Sequence, residues 1–165
     1  MKNLVLVRHA KSSWDNPEWS DFDRPLNKRG LRDAPFLADI LVEKGFVPDL
    51  IISSTAKRAK ETVHFFSGAL KYDIKRIEFE LGIYERGTKF IINKLSNLES
   101  QINNVLLVGH NPDITSLATF FSGDFFDNIP TCGMVSIKFN FNEWENITSV
   151  NGELVFSEFP RNFFS

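Results

Sequence analysis

Leu4-Val5-Leu6-Val7-Arg8-His9 stands near the start of the 165-residue chain, and Val105-Leu106-Leu107-Val108-Gly109-His110 follows about a hundred residues later. Each is an unbroken run of valine and leucine that ends abruptly in a polar group. An uninterrupted apolar run of this length reads as a strand buried on both faces, as in a parallel sheet covered by helices. Leu50-Ile51-Ile52, ending in Ser53-Ser54, reads the same way.

Helical patterns separate these runs. Asn27 caps a helix running to Lys44 and stopping at Gly45, with Ala34, Leu37, Ala38, Leu41 and Val42 as its apolar face. Pro35 lies inside it and is expected to kink it or shift its start. Further helices are expected over Ala56–Leu70, over Thr88–Glu99 and from Pro112 to Phe121, with proline suited to a first turn. A strand is expected at Arg76–Glu80. After residue 130 the pattern turns to β, over Met134–Phe141 and Glu153–Phe159, which can pair antiparallel across the Asn142–Gly152 connection. Strand–helix alternation followed by a late hairpin predicts an α/β fold, with a mostly parallel central sheet flanked by helices and a C-terminal β-hairpin. Length, and the lack of repeats or linkers, predict one domain over residues 1–165.

Composition narrows the function. Lys plus Arg number 19 against 21 Asp plus Glu, a formal net charge of -2, which argues against a nucleic-acid partner held by clustered cations. No apolar stretch reaches the roughly 20 residues of a membrane span, so no membrane partner is expected. The first apolar run is too short for a signal-peptide core, and Cys132 is the single cysteine. Together they predict a reducing, cytoplasmic setting, with neither a disulfide nor a cysteine-rich zinc site.

The chemistry gathers at strand ends. Arg8-His9 follows the first strand, Ser53-Ser54 leads into Arg58 after the second, and His110 follows the strand at Val105–Val108. Carboxyl ends of neighbouring strands converge on one crevice in open α/β sheets, so these residues can meet in space. Two of only three histidines occupy equivalent positions. Such a cluster suits phosphoryl handling. Arginine forks match phosphate oxygens and neutralise the charge that spreads during transfer. An imidazole among cations has its pKa lowered, and a neutral histidine can attack phosphorus to give a phosphohistidine intermediate. Taken singly, the same residues have plainer readings. Arg8-His9 can be a strand-end ion pair, His110 a turn histidine, and Arg58 part of a solvated basic helix face. His64 has no strand-end position and reads as structural or surface. Two histidines lack the close spacing of a zinc site, so no metal and no cofactor are expected.

Leu4-Val5-Leu6-Val7-Arg8-His9-Ala10-Lys11 resembles the signature of the histidine phosphatase superfamily, related to phosphoglycerate mutase, with Ala10 at the usual glycine as in its SixA-type branch. Asp23-Arg24-Pro25-Leu26-Asn27-Lys28-Arg29-Gly30, Pro48–Ser54 with Ala56–Thr62, and Val105–Pro112 are similar to further segments of that branch, in order. The resemblance runs from residue 1 to about residue 121. It implies a phosphoglycerate mutase-like fold and a metal-independent phosphatase. His9 would be the phosphorylated nucleophile, Arg8 and Arg58 a phosphate clamp, His110 a donor across the pocket, and Arg24 a further phosphate contact. Glu85 stands where relatives keep an acid, and reads either as the proton donor or as a surface carboxylate paired with Arg86. The implied substrate carries phosphate, most simply phosphohistidine on a protein, because the short chain leaves no space for the inserted lid of larger members. Small phosphomonoesters, or phosphate binding without catalysis, are the alternatives. Trp14 and Trp19 in the long Lys11–Arg29 stretch can line a substrate groove or anchor the loop. Of 17 phenylalanines ten follow residue 119, and the pairs Phe120-Phe121, Phe125-Phe126 and Phe163-Phe164 are expected chiefly in the core, with an exposed partner surface as the other reading.

Overall fold

Alternation along the apolar runs decides how the layers assemble. In the computed structural model, which describes residues 1–149 and 151–164, strand β1 covers Lys2–Arg8 and strand β4 covers Asn104–Gly109. Leu4, Leu6 and Leu107 face one side of the sheet, whereas Val5, Val7, Leu106 and Val108 face the other. All seven are fully buried, as a strand covered on both faces requires.

Helix α1 (Lys28–Glu43) and helix α2 (Lys57–Ala69) cover the second face through Leu37, Leu41, Val63 and Phe66. Asn27 caps α1 as expected, its side chain accepting from the Gly30 N–H at 2.9 Å, and Gly45 ends the helix with φ of 80°. Pro35 does not shift the start. An interior proline costs about 3 kcal/mol, and the burial of Leu37 and Leu41, each contributing about 1.5–3 kcal/mol, outweighs it. The first face is covered by helix α4 (Gly87–Ser96), helix α5 (Asp113–Ser122) and the 3₁₀ segment carrying Trp144.

The remaining strands are β2 (Leu50–Ser54), β3 (Glu78–Glu80), β5 (Met134–Phe139) and β6 (Glu153–Glu158). Their order is β3-β2-β4-β1-β5-β6. The β1–β4, β2–β4 and β2–β3 pairs are parallel, and β5 runs antiparallel to both β1 and β6. The fold is therefore a single α/β domain with a mostly parallel sheet and a C-terminal hairpin; position 150, in the hairpin's connection, lies outside the described residues.

Several local boundaries differ from expectation. The third strand is shorter than Arg76–Glu80, because Asp73 accepts from the Lys75 N–H and winds Ile74–Arg76 into a 3₁₀ turn. A short helix α3 (Leu81–Glu85) precedes α4, and α4 ends at Ser96 rather than Glu99. The aromatic pairs split. Phe121 is buried, Phe163 and Phe164 pack on Phe36 of α1, and Phe120 and Phe125 stay exposed. Among the described residues no helix is long and apolar enough to cross a membrane.

Candidate active site

Parallel register brings the two strand-end motifs side by side. Arg8 pairs with Gly109, and the His9 N–H donates to the Gly109 carbonyl at 3.0 Å. The His9 and His110 rings consequently lie 5.1 Å apart. Cys132, with φ of 60°, donates its N–H to the carbonyls of Arg8 and His9 and pins the chain where it leaves β1. On the other side of β4, β2 ends at Ser54, whose hydroxyl oxygen accepts from the Ala56 N–H and turns the chain into α2. Arg58 is the second residue of that helix, and its Nε donates to His9 Nε2 at 3.3 Å. Thr62, one turn on, accepts from the Ala10 N–H and donates to the Arg58 carbonyl, fixing α2 against the segment after His9.

The hydrogen bonds of His9 define its tautomer. Nδ1 lies 2.7 Å from the Ala10 carbonyl oxygen, which can only accept, so Nδ1 carries the proton. Nε2 is left unprotonated, its lone pair accepting from Arg58 Nε. Burial first, then His110 and the charges of Arg58 and Arg8, hold the His9 pKa well below 6.5 despite the Ala10 bond. Desolvation thus leads where the sequence suggested charge repulsion. His110 behaves alike, its pKa lowered to about 4 by burial and then by Arg58 and Arg8. Its Nε2 is 2.7 Å from Ser54 Oγ. That oxygen also accepts from the Ala56 N–H, and among the described residues its hydroxyl hydrogen has no acceptor other than Nε2, so it donates there and leaves the proton on His110 Nδ1.

Two buried donors of this cluster, Arg8 Nε and His110 Nδ1, have no hydrogen-bond partner among the described residues. Buried donors left unpaired are costly, and two of them beside paired guanidinium groups are what an anion would satisfy. Arg8 Nη1 is anchored on the Ile129 carbonyl at 3.0 Å.

Sequence reasoning missed Asp21. A 3₁₀ turn at Asp21–Asp23 folds the long loop back over the site. Asp21 Oδ2 accepts from Arg58 Nη2 at 3.0 Å and from the Tyr84 hydroxyl at 2.7 Å, and its Oδ1 accepts from Arg24 Nε and Nη2. Partial burial raises the Asp21 pKa, but Tyr84, Arg24 and Arg58 more than reverse this and hold the carboxyl ionised well below its ordinary range. Arg24 is therefore joined to the site through Asp21. Its Nη1 is taken by Ser12 Oγ and the Ser13 carbonyl, and its guanidinium stacks on Trp14 at 3.6 Å. Trp14 thus holds the loop's arginine in place while keeping its other face exposed. Tyr84, not its neighbour Glu85, stands at the cluster, its ring 5.4 Å from that of His110. Glu85 is exposed at the end of α3, and His64 is exposed against Phe79. The only hint of Asp21 in the sequence was its i,i+3 spacing to Arg24.

Arg8, His9, Arg58 and His110 gather in one buried cluster, with Arg24 one carboxylate away and Glu85 outside it. Among the described residues no group of three or more His, Cys, Asp or Glu side chains is arranged to hold a metal ion. The arrangement can bind an oxyanion and present a neutral imidazole nitrogen to its centre.

Branch 1 of the histidine phosphatase superfamily matches residues 4–90. An uncharacterized chloroplastic protein of Arabidopsis thaliana is 32% identical, over 92% of this chain and 72% of that protein. The solved SixA structure from Agrobacterium tumefaciens superposes with a TM-score of 0.82 at 26% identity, covering 96% of this chain and 98% of that one. The protein histidine phosphatase SixA, solved in complex with tungstate, gives 0.83 at 20% identity over 97% and 98%.

Proposed function

This chain belongs to the histidine phosphatase superfamily, and we propose that it removes phosphate from phosphohistidine on proteins through a phosphorylated His9. The observation that carries the reading is the lone pair on His9 Nε2, 3.3 Å from Arg58 Nε, with the opposite ring nitrogen fixed by the Ala10 carbonyl. A neutral nucleophile beside a guanidinium meets both needs of phosphoryl transfer, attack on phosphorus and charge stabilisation at its oxygens.

In the first step Nε2 attacks phosphorus and the substrate N–P bond breaks. The substrate imidazole leaves with that electron pair and takes up a proton, and the phosphoryl group passes to His9. In the second step water attacks phosphorus, inorganic phosphate departs and His9 is regenerated with its Nδ1 proton still in place. Arg8 and Arg58 grip the transferred oxygens, and His110 Nδ1–H donates from the other side. Arg24 holds Asp21 against Arg58. An imidazole leaves far more readily than an alkoxide, so a strong general acid is dispensable and the exposed position of Glu85 is tolerable. Short helices α3 and α4 supply no inserted lid between β3 and β4, which suits a side chain carried on a protein.

A panel of phosphohistidine, phosphoimidazole and alkyl phosphates, run on wild type and His9→Ala together, tests the reading. Hydrolysis of the N–P substrates by wild type alone, with Glu85→Gln retaining it, is expected. Preference for alkyl phosphates would transfer the chemistry to small phosphomonoesters, and full activity in His9→Ala would remove the mechanism.

A further inference from the structure

We propose that the groove between α5 and the loop following it docks the polypeptide flanking the target phosphohistidine, accepting an apolar side chain with a cationic one beside it. This rests on the phosphohistidine reading above and names how a protein substrate is selected.

The groove is an open cavity of about 760 Å³, within the range of ligand sites. One wall is a stripe running from Pro112, which caps α5, through Thr115 and Thr119 to Phe120 on one face of that helix. Phe125, Phe126 and Asp127 form the opposite wall. Phe125 is 81% exposed and Phe120 53%. A lone exposed phenylalanine is ordinary, but two flanking a single concavity form the kind of apolar patch that marks an interaction site.

The groove begins one residue from the phosphate-binding cluster. Its inner end is formed by Asn111, which follows His110 directly, and by Asn128. Asn111 Nδ2 donates to Asn128 Oδ1 and to the Ile129 carbonyl, the same carbonyl that anchors Arg8. From Pro112 to Phe120 the helix rises about 12 Å, a span that an extended chain covers in about four residues. A substrate with its phosphohistidine over His9 therefore lays a residue at least four positions away against Phe120 and Phe125. Asp127 on the groove's lip, with exposed Asp124 nearby, supplies the negative charge for a lysine or arginine beside that residue.

Twelve-residue peptides with one histidine, phosphorylated chemically with phosphoramidate, provide the test. One series carries leucine and arginine about four residues from the phosphohistidine, on either side; the control carries glycine there. Wild type should favour one leucine–arginine peptide by about tenfold in kcat/KM, the gain of burying one apolar side chain. Phe125→Ser, alone and with Phe120→Ser, should bring that preference to within about twofold by raising KM, while phosphoimidazole hydrolysis is unchanged. Asp127→Lys should abolish only the arginine component. Three results overturn the proposal: equal use of both peptides by wild type, an equal loss on phosphoimidazole in the variants, or a drop in sedimenting mass in Phe125→Ser, which makes the groove a contact between copies. Failure of wild type to hydrolyse phosphoimidazole at all would instead remove the phosphohistidine reading on which the groove depends.

Discussion

Replacing Asp21 by asparagine should make the pocket bind oxyanions more tightly. The Asp21 carboxylate takes Arg58 Nη2 at 3.0 Å, so an arriving phosphate competes with a built-in anion for the same guanidinium. Two unit charges at that distance interact by about 5–6 kcal/mol at an effective dielectric of 20. The Asp21 side chain is 49% exposed, however, and exposed ion pairs retain only about 1 kcal/mol after hydration and screening. That converts to roughly a fivefold change in affinity. Asparagine keeps an oxygen for Arg24, so the loop remains seated while the competing charge goes. The assay is competitive inhibition of phosphoimidazole hydrolysis by inorganic phosphate and by vanadate. The inhibition constants for Asp21→Asn should fall about fivefold at low salt, and by less at high salt. Asp23→Asn, whose carboxylate meets Ser20 instead, should leave them unchanged. Unaltered or weaker inhibition in Asp21→Asn would refute the competition.

Arg58→Met should lower kcat/KM by roughly 10²–10³, the usual loss for one donor to a developing oxyanion, measured in steady state on phosphoimidazole. Gly30→Ala places a methyl group against the Lys11 carbonyl oxygen, and the overpacking should cost about 1–3 kcal/mol in urea denaturation. His110, neutral in the fold with its pKa near 4, gives stability a defined pH dependence. Below about 6.5 the unfolded chain takes up a proton that the folded chain refuses, so stability is lost as pH falls toward about 4. The contribution is about 3 kcal/mol, and it should disappear from the pH profile of unfolding in His110→Gln.

The strands were legible because a strand buried on both faces leaves an unbroken apolar run, and β1, β2 and β4 all do. Their ends were legible for the same reason, since Arg8, His9 and His110 interrupt apolar runs, and parallel register does the rest by pairing Arg8 with Gly109. Asp21 was not. Its partners Arg58 and Tyr84 lie 37 and 63 residues away, and it reaches them only because an irregular loop folds back, which leaves no periodic trace. The Tyr84-Glu85 pair drew attention to the right segment but the wrong side chain. On a helix as short as α3, which residue faces the pocket is set by tertiary packing, not by pattern. The phenylalanine pairs fail similarly: adjacent residues on a helix point apart, so Phe121 enters the core while Phe120 stays outside.

The central claim is that His9 carries the phosphoryl group during turnover. Rapid quenching with ³²P-labelled phosphohistidine as substrate, followed by peptide mapping, tests it most directly. Label should appear on the peptide containing His9, stable in alkali and lost in acid, and should be absent from His9→Ala. Turnover without any labelled protein, or label persisting in His9→Ala, would contradict the account.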